Sequence, residues 1–521
     1  MNNNDIKSIA KKICDYDMMC LAETFPFLSI EAGLSWKGGT IWNDCFGNKR
    51  NGLNNKIVPV HSLSKLYTMF CCIRSSMEGK LDLHAPITHY LPDLKLYYQG
   101  ENVSNNIIIS HLLSHMSGLQ HEASIGNNFI YHASLEEHIN SIQETTLMFM
   151  PGYHYAYSNI GYNLLGFILC KIYQDNFASI MHNKVFNALN MTSVSYSTSN
   201  QCQHPSSGMQ ATMVCLMNGI NNIILSWKNK FFISPKFWRE IFKINKIYKE
   251  QISGYGYAVK VFRSHPHHLH CITGQYRDFY AVQMFSEKLL LGYTSIFYGF
   301  TNEVRKALNT HDAFFNTVVK LCSKKEQNKI IIHKRDLHID ESMDNYIGSY
   351  LSYDNNMIFI KKTENNYFFS KDGVSFIKVS LIKNNHFSVG DDTIIANKSS
   401  CGKKFIYYNG TYEFGTYFYN GETESLPIHS ETKYPERIYE LAIDDEIPLL
   451  ERNVLMQLKR FKRIRLIESV YGFYINYKHK LIHISGNTYE KATGESVVIE
   501  KEFITIGNIR YNIINKGGCS T

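Results

Sequence analysis

Residues 5–22 set Ile6, Ile9, Ala10, Ile13 and Met18 near a 3.6-residue period, which predicts an amphipathic helix. Phe27 to Leu34 alternates instead, and Gly38-Gly39 before Thr40-Ile-Trp42 predicts a hairpin. Two further stretches, Leu66 to Ile73 and Ile160 to Ile172, are apolar and helix-like, and Thr301 to Lys320 is helical again. Lys324 to Lys329 is a polar linker. Beyond about Ser342 the pattern shortens into strand-like runs broken by Gly, Asn and Asp. They include Tyr346-Ile-Gly-Ser-Tyr350, Met357 to Lys361, Tyr367 to Ser370 and Phe376 to Ser380, and they predict an antiparallel sheet or barrel. Tyr474 to Tyr477, Leu481 to Ser485 and Ile509 to Ile513 extend the same texture.

Composition narrows the classes open to such a chain. Its 521 residues suggest about three domains, the 44% apolar content suffices for real cores, and 19% charged residues are too few for disorder. A net charge of +8 spread along this length is no argument for nucleic acid. The basic run Leu458 to Leu466 reads as a solvated face rather than as a surface for anionic membrane or nucleic acid. The N-terminus lacks the apolar core of a signal peptide, and no apolar run reaches the roughly 18 residues of a membrane span. Twelve cysteines are scattered without C-x-x-C pairs, and Cys71, Cys72, Cys170 and Cys215 lie in apolar runs. Buried free thiols follow, and the expectation is a cytoplasmic protein with no membrane span.

The candidate chemistry starts at Val58 to Lys65, just ahead of the apolar run from Leu66. Ser62 and Lys65 form S-x-x-K, a spacing that puts hydroxyl and amine on one helix face, one turn apart. A serine hydroxyl is a poor nucleophile until its proton is taken, and an enclosed lysine amine can take it or stabilise a base that does.

Further blocks accompany it: Glu78 to Pro92, Ile107-Ile-Ile-Ser-His-Leu-Leu-Ser-His-Met-Ser-Gly-Leu119, Pro151 to Gly166, and Ala188-Leu-Asn-Met-Thr192. In this order and spacing they resemble the β-lactamase-related serine hydrolases, a family of class C β-lactamases, esterases and D-amino-acid peptidases. The resemblance covers roughly residues 20 to 320. It implies that Tyr157 of Tyr157-Ser158-Asn159 relays the nucleophile's proton and that Asn159 contacts the substrate's acyl amide. The physical requirement agrees: a phenol with an ordinary pKa near ~10 needs a cation beside it, such as Lys65, to act as a base near neutral pH.

The family's third motif, K-T-G or H-x-G on a strand edging the cleft, is altered in His265-Pro-His-His-Leu-His-Cys-Ile-Thr-Gly-Gln275. One alignment puts His270-Cys271-Ile272 on the triad, with isoleucine where glycine belongs. Another puts Ile272-Thr273-Gly274 there, keeping threonine and glycine but losing the cation. The first is preferred, so that His270 is expected on the cleft wall and Thr273 and Gly274 are its alternatives. His268 and His270 share a strand face, but no cysteine or carboxylate cluster joins them, and no metal or other cofactor is expected. "YIGSY" also resembles the opening of a lipocalin-like β-domain found behind some members of the family.

These readings add up to an α/β (α+β) chain. A hydrolase domain over residues 1–323 would hold an antiparallel sheet flanked by helices and an all-helical subdomain. A linker over 324–341, a lipocalin-like β-domain over 342–425 and an unassigned β-rich extension over 426–521 would follow. The expected reaction is acyl transfer by Ser62 on an ester, a small peptide amide or a β-lactam, with Lys65 and Tyr157 managing the proton. The N–H of Ser62 and one near residue 273 would hold the oxyanion. The expected partner is a small-molecule or peptide substrate, not nucleic acid, and oligomeric state is left open. The rival reading is a pseudoenzyme that keeps the fold for binding.

Overall fold

A computed structural model describes Asp15, residues 18–47, 56–123, 133–196, 201–244, 253–262, 269–276, 279–300, Val304 and, between Met343 and Asn515, the strands and short turns named below. Residues 18–24 are helical, whereas most of the expected helix 301–320, the linker 324–341 and His268 lie outside the described residues. The chain divides into two compact units, Met1–Ala85 with Tyr162–His333, and Pro86–Gly161 with Lys334–Thr521.

The first unit is built on a seven-stranded antiparallel sheet. Its strands are β1 (Ser29–Trp36), β2 (Gly39–Gly47), β3 (Ser253–Tyr255), β4 (Lys260–Phe262), β5 (Leu269–Tyr276), β6 (Phe279–Ser286) and β7 (Leu291–Tyr298), in spatial order β2-β1-β7-β6-β5-β4-β3. The first hairpin turns at Lys37-Gly38, both with positive φ, so the predicted turn is present.

Helix α1 (Ser64–Met77) runs through the middle of this unit. Leu66, Tyr67, Met69, Phe70, Cys71, Cys72 and Ile73 are all fully buried. A helix with no polar face is stable only when enclosed, and here each side has a partner. Phe70 packs edge-on against Phe232 and Trp238 at 5.4 and 5.7 Å. Tyr67 donates its hydroxyl to Gln283 Oε1 of β6 at 3.1 Å, so its one polar atom is satisfied in the core. Helix α2 (Asn159–Tyr173) and α3 (Met213–Asn229) are apolar along the segments that bury, and Gly292 of β7 admits α3 closely: a Cβ there would lie 2.7 Å from Ile220 side-chain atoms.

In the second unit, residues 86–161 are not all-helical. They hold 3₁₀ turns, the short helices Ile109–Leu113 and Leu135–Asn140, and a two-stranded ribbon of Tyr97–Tyr98 and Glu101–Asn102. Few of these segments exceed two helical turns, and side chains replace helix length as the fixative. Ser134 and Glu137, for example, form a reciprocal cap at 3.1 and 2.7 Å.

The β-rich region is two closed barrels of eight antiparallel strands each. The first runs from Gly348–Ser352 to Phe414–Gly421, and these two strands pair to close it. Alternation sends Ile358 and Ile360, Ile394 and Ala396, and Ile406 and Tyr408 into one buried cluster with Tyr350 and Phe369. The second runs from Glu436–Leu441 to Ile509–Asn515 and closes in the same way. Both barrels shift register within the first strand, at Ser349/Tyr350 and Ile438/Tyr439, and both shift again in the fourth, at Leu381/Lys383 and His483/Ser485. Strand number, order and bulge positions therefore repeat, so the extension after residue 426 is a second copy of the same barrel plan.

Candidate active site

Ser62 stands in a 3₁₀ turn, His61–Leu63, that leads into α1, rather than on the α-helix itself. The turn is pinned to strand Met209–Ala211. Val60 N–H donates to the Met209 carbonyl at 3.0 Å, and Ser64 Oγ accepts from Met209 N–H at 3.1 Å while donating to the His61 carbonyl at 2.5 Å. His61 is held at φ 49°, a left-handed conformation that costs a non-glycine residue about 1–2 kcal/mol. Strain of this kind beside a reactive group persists only where the surroundings fix it.

One helical turn on, Lys65 is completely buried, and its Nζ donates to Ser62 Oγ at 3.3 Å and to the Ser206 carbonyl at 2.8 Å. Its Nζ also lies 5.6 Å from the centre of the Tyr162 ring. The amine is thus enclosed, aimed at the hydroxyl, and held by a backbone acceptor that sequence gave no reason to single out. The neighbouring thiols are inert by comparison. Burial pushes Cys71 up to about 12 and holds Cys72 well above its usual range, so neither offers a competing nucleophile at neutral pH.

Burial also pushes the His61 imidazole down to about 4. Above its ordinary 6.5 both folded and unfolded chains hold it neutral, and stability there is independent of this group. Between 6.5 and about 4 the unfolded chain takes up a proton that the folded chain refuses, so stability falls with pH and levels off below. The expected loss by pH 4 is about 3 kcal/mol. His61→Gln should flatten this part of the stability curve in urea titrations, and an unchanged acid slope would contradict the assignment.

Strand β5 edges the same turn. A Cβ on Gly274 would sit 2.0 Å from the Val60 carbonyl oxygen and 3.0 Å from Ser62 N, so only glycine fits there. This close approach favours Ile272-Thr273-Gly274 as the register of the third motif. The preferred placement of His270 on the cleft wall is corrected: its ring is buried, stacks on Phe242 at 3.7 Å, and bonds Glu287 Oε2 at 2.6 Å. Burying imidazole among Trp238, Phe242 and Phe285 needs a polar partner, and Glu287 supplies it. Ile272, 5% exposed, takes the position where the resemblance expects a cation, while Thr273 is half-buried. The ladder between β4 and β5 ends at Lys260–Cys271, so the strand from Ile272 onward has no β4 partner.

Tyr157 and Asn159 belong to the second unit. The Tyr157 ring lies 4.3 Å from His115 in a tilted stack and 5.5 Å from His121, perpendicular to it. His115 is buried and accepts the Ser158 N–H on Nδ1 at 3.1 Å, which fixes its ring. Asn159 donates Nδ2 to Glu122 Oε1 at 2.6 Å and lies 3.3 Å from His121 Nε2, and its N–H reaches the His121 carbonyl at 2.9 Å. Ser158 Oγ donates to the Gln120 carbonyl at 2.6 Å. The segment after Leu119 thus orients the Tyr-Ser-Asn triplet residue by residue. His115, His121 and Glu122 carried no signal alone, because a single histidine or glutamate in a loop has no spacing to read.

Comparison with known proteins covers part of the chain. Residues 36–213 match the family model described as Beta-lactamase. Over these residues the chain is similar to the β-lactamase-related serine hydrolases. A stretch of 156 residues is 27% identical to Protein flp of Staphylococcus aureus strain N315, covering 29% of this chain and 30% of that protein. A shorter stretch of 98 residues is 33% identical to the human mitochondrial serine beta-lactamase-like protein LACTB, covering 18% of each. The chain therefore spans under a third of the length of these relatives. Among solved structures, that of SurE superposes with a TM-score of 0.54 at 13% identity, covering 80% of this chain and all of that one. At that identity the likeness shows the fold alone.

Proposed function

We propose that this protein is a serine acyl hydrolase working through an acyl-enzyme on an ester or a small peptide amide. The observation that supports it best is the Lys65 amine, wholly enclosed and 3.3 Å from Ser62 Oγ. In this reading Ser62 Oγ attacks the substrate carbonyl. Lys65 stabilises the deprotonated serine, Tyr157 returns the proton to the leaving group, and Asn159 contacts the acyl chain. The Ser62 N–H and an edge N–H of β5 beside Gly274 receive the oxyanion. Water then releases the acyl group.

In this reading Ile272, two residues from Gly274 on the same face of β5, makes the wall next to Ser62 apolar. A carboxylate lying there would be desolvated without a partner, so uncharged esters and amides suit the wall better than acidic substrates. The same isoleucine is what favours the second reading, a protein that keeps the fold for binding. Labelling with a fluorescent serine-directed phosphonate, followed by peptide mapping, separates the two. The hydrolase reading expects stoichiometric label on the peptide containing Ser62, and an unlabelled protein would leave only binding.

A further inference from the structure

We propose that Gln283 is a positioning residue that acts through Tyr67: it fixes helix α1 on the seven-stranded sheet, and with it the spacing between Ser62 and strand β5. The inference rests on the acyl-hydrolase reading and deepens it. In that reading one oxyanion donor, the Ser62 N–H, sits in the turn that opens into α1, and the other lies on β5. The reaction therefore needs the helix held at one height and one angle over the sheet.

Residues opposite one another on antiparallel strands share a face, as do residues two apart on one strand. Gln283 of β6 stands opposite Ile272, so it shares a face of the sheet with Ile272 and Gly274. This is the face that meets the Ser62 turn, since a Cβ on Gly274 would sit 3.0 Å from Ser62 N. From α1, Tyr67 reaches the same face and donates its hydroxyl to Gln283 Oε1 at 3.1 Å. Gln283 Nε2 donates to the Leu216 carbonyl of α3 and to Thr294 Oγ1 of β7, each at 3.3 Å. A backbone carbonyl can only accept, so the amide is not free to flip, and its oxygen is held toward Tyr67. Gly219 of α3 gives the hydroxyl room, because a Cβ there would lie 3.2 Å from Tyr67 Oη.

Three neighbouring side chains of α1 bond elsewhere. Ser64 Oγ meets the Met209 N–H, Lys65 Nζ the Ser206 carbonyl, and Thr68 Oγ1 the Pro205 carbonyl at 2.7 Å. They hold the helix to residues 205–209, outside the seven-stranded sheet. The Tyr67 ring packs near Phe70 and Phe186, with ring centres 6.3 and 6.0 Å away, and apolar contact of this kind has no direction. The hydroxyl bond does. Tyr67, Gln283 and Thr294 are all fully buried, and burial raises the Tyr67 phenol above its ordinary range, so it stays a donor at any working pH. Replacing both partners of a buried bond by apolar groups of like shape costs little stability. What this pair adds is position.

The test measures kcat and KM for a nitrophenyl butyrate ester on the full chain, with urea unfolding beside them. Tyr67→Phe and Gln283→Met should each lower kcat about tenfold and leave KM within about twofold. Combined they should do no worse than either alone, because both remove the same bond. The loss should be equal from about pH 6 to about pH 9, as Tyr67 does not titrate there. Phosphonate labelling of Ser62 should slow by the same factor. Thr294→Val, which spares the Tyr67–Gln283 bond, should keep the wild-type kcat. A merely structural pair would lower the urea midpoint and leave the kcat of the folded protein unchanged. That result, additive losses in the double variant, or an equal loss in Thr294→Val overturns the inference. If the wild type shows no turnover above Ser62→Ala, the hydrolase reading falls and this inference with it. If the wild type turns over normally and Tyr67→Phe matches it, only the role of Gln283 falls.

Discussion

Ser62→Ala should lose turnover of an activated ester by at least about a thousandfold while unfolding within about 1 kcal/mol of the wild type. Removing the attacking oxygen removes the covalent intermediate altogether. The structural cost is small because Lys65 Nζ keeps its bond to the Ser206 carbonyl at 2.8 Å. Lys65→Met should be nearly as inactive, since it fills a similar volume and deletes only the amine. Lys65→Ala would be a poorer test, as it also opens a cavity in a fully buried site and confounds activity with folding. Measurement of kcat/KM beside urea unfolding of each variant distinguishes these effects. Equal hydrolysis by wild type and Ser62→Ala would place the activity elsewhere.

The second large effect is expected at a residue with no reactive atom. Gly274→Val should retain the sheet and lose turnover by about a hundredfold, the scale of a misplacement near 1 Å at a reacting centre. A Cβ there would stand 2.0 Å from the Val60 oxygen, and both atoms belong to backbone held in hydrogen bonds. Strand β5 and the Ser62 turn must therefore separate, which pulls apart the two N–H groups proposed to hold the oxyanion. Gly79→Ala is the matching control. That glycine has φ 72° and nothing within 4 Å of its added Cβ, so the substitution should cost about 1–2 kcal/mol of stability and leave turnover unchanged. If Gly274→Val keeps full activity, strand β5 does not take part in the reaction.

These two residues also show what could be read in advance. Ser62 and Lys65 were legible because their spacing and the helix behind them are local properties of the chain. The alternation that predicted the first barrel is local as well, and each run of Ile and Tyr names the face that goes inward. The register of β5 was not legible. His270 and Ile272 both alternate correctly, and only the approach of Gly274 to the Val60 carbonyl, across 214 residues of sequence, separates them. The same holds for Glu122, which meets Asn159 across 37 residues and belongs to no motif of its own. The second barrel escaped because closure is a property of the pairing of first and last strands, and no residue type announces it. His270 misled for a physical reason: histidine looks like chemistry in a sequence, yet with Glu287 beside it the ring serves as a buried polar filler between aromatic side chains.

Closure of the two barrels also bears on how the protein behaves when crowded or newly made. An open sheet ends in a row of unmatched N–H and C=O groups, and long flat ends of that kind recruit strands from other chains. Here the last strand of each barrel returns to the first, so neither ends in an open edge. That protection arrives only when Phe414–Gly421 and Ile509–Asn515, the last strands to leave the ribosome in their respective barrels, have docked. Until then each incomplete barrel carries two exposed edges. A truncation that removes Ile509–Asn515 should therefore be more prone to aggregation than its small loss of mass suggests.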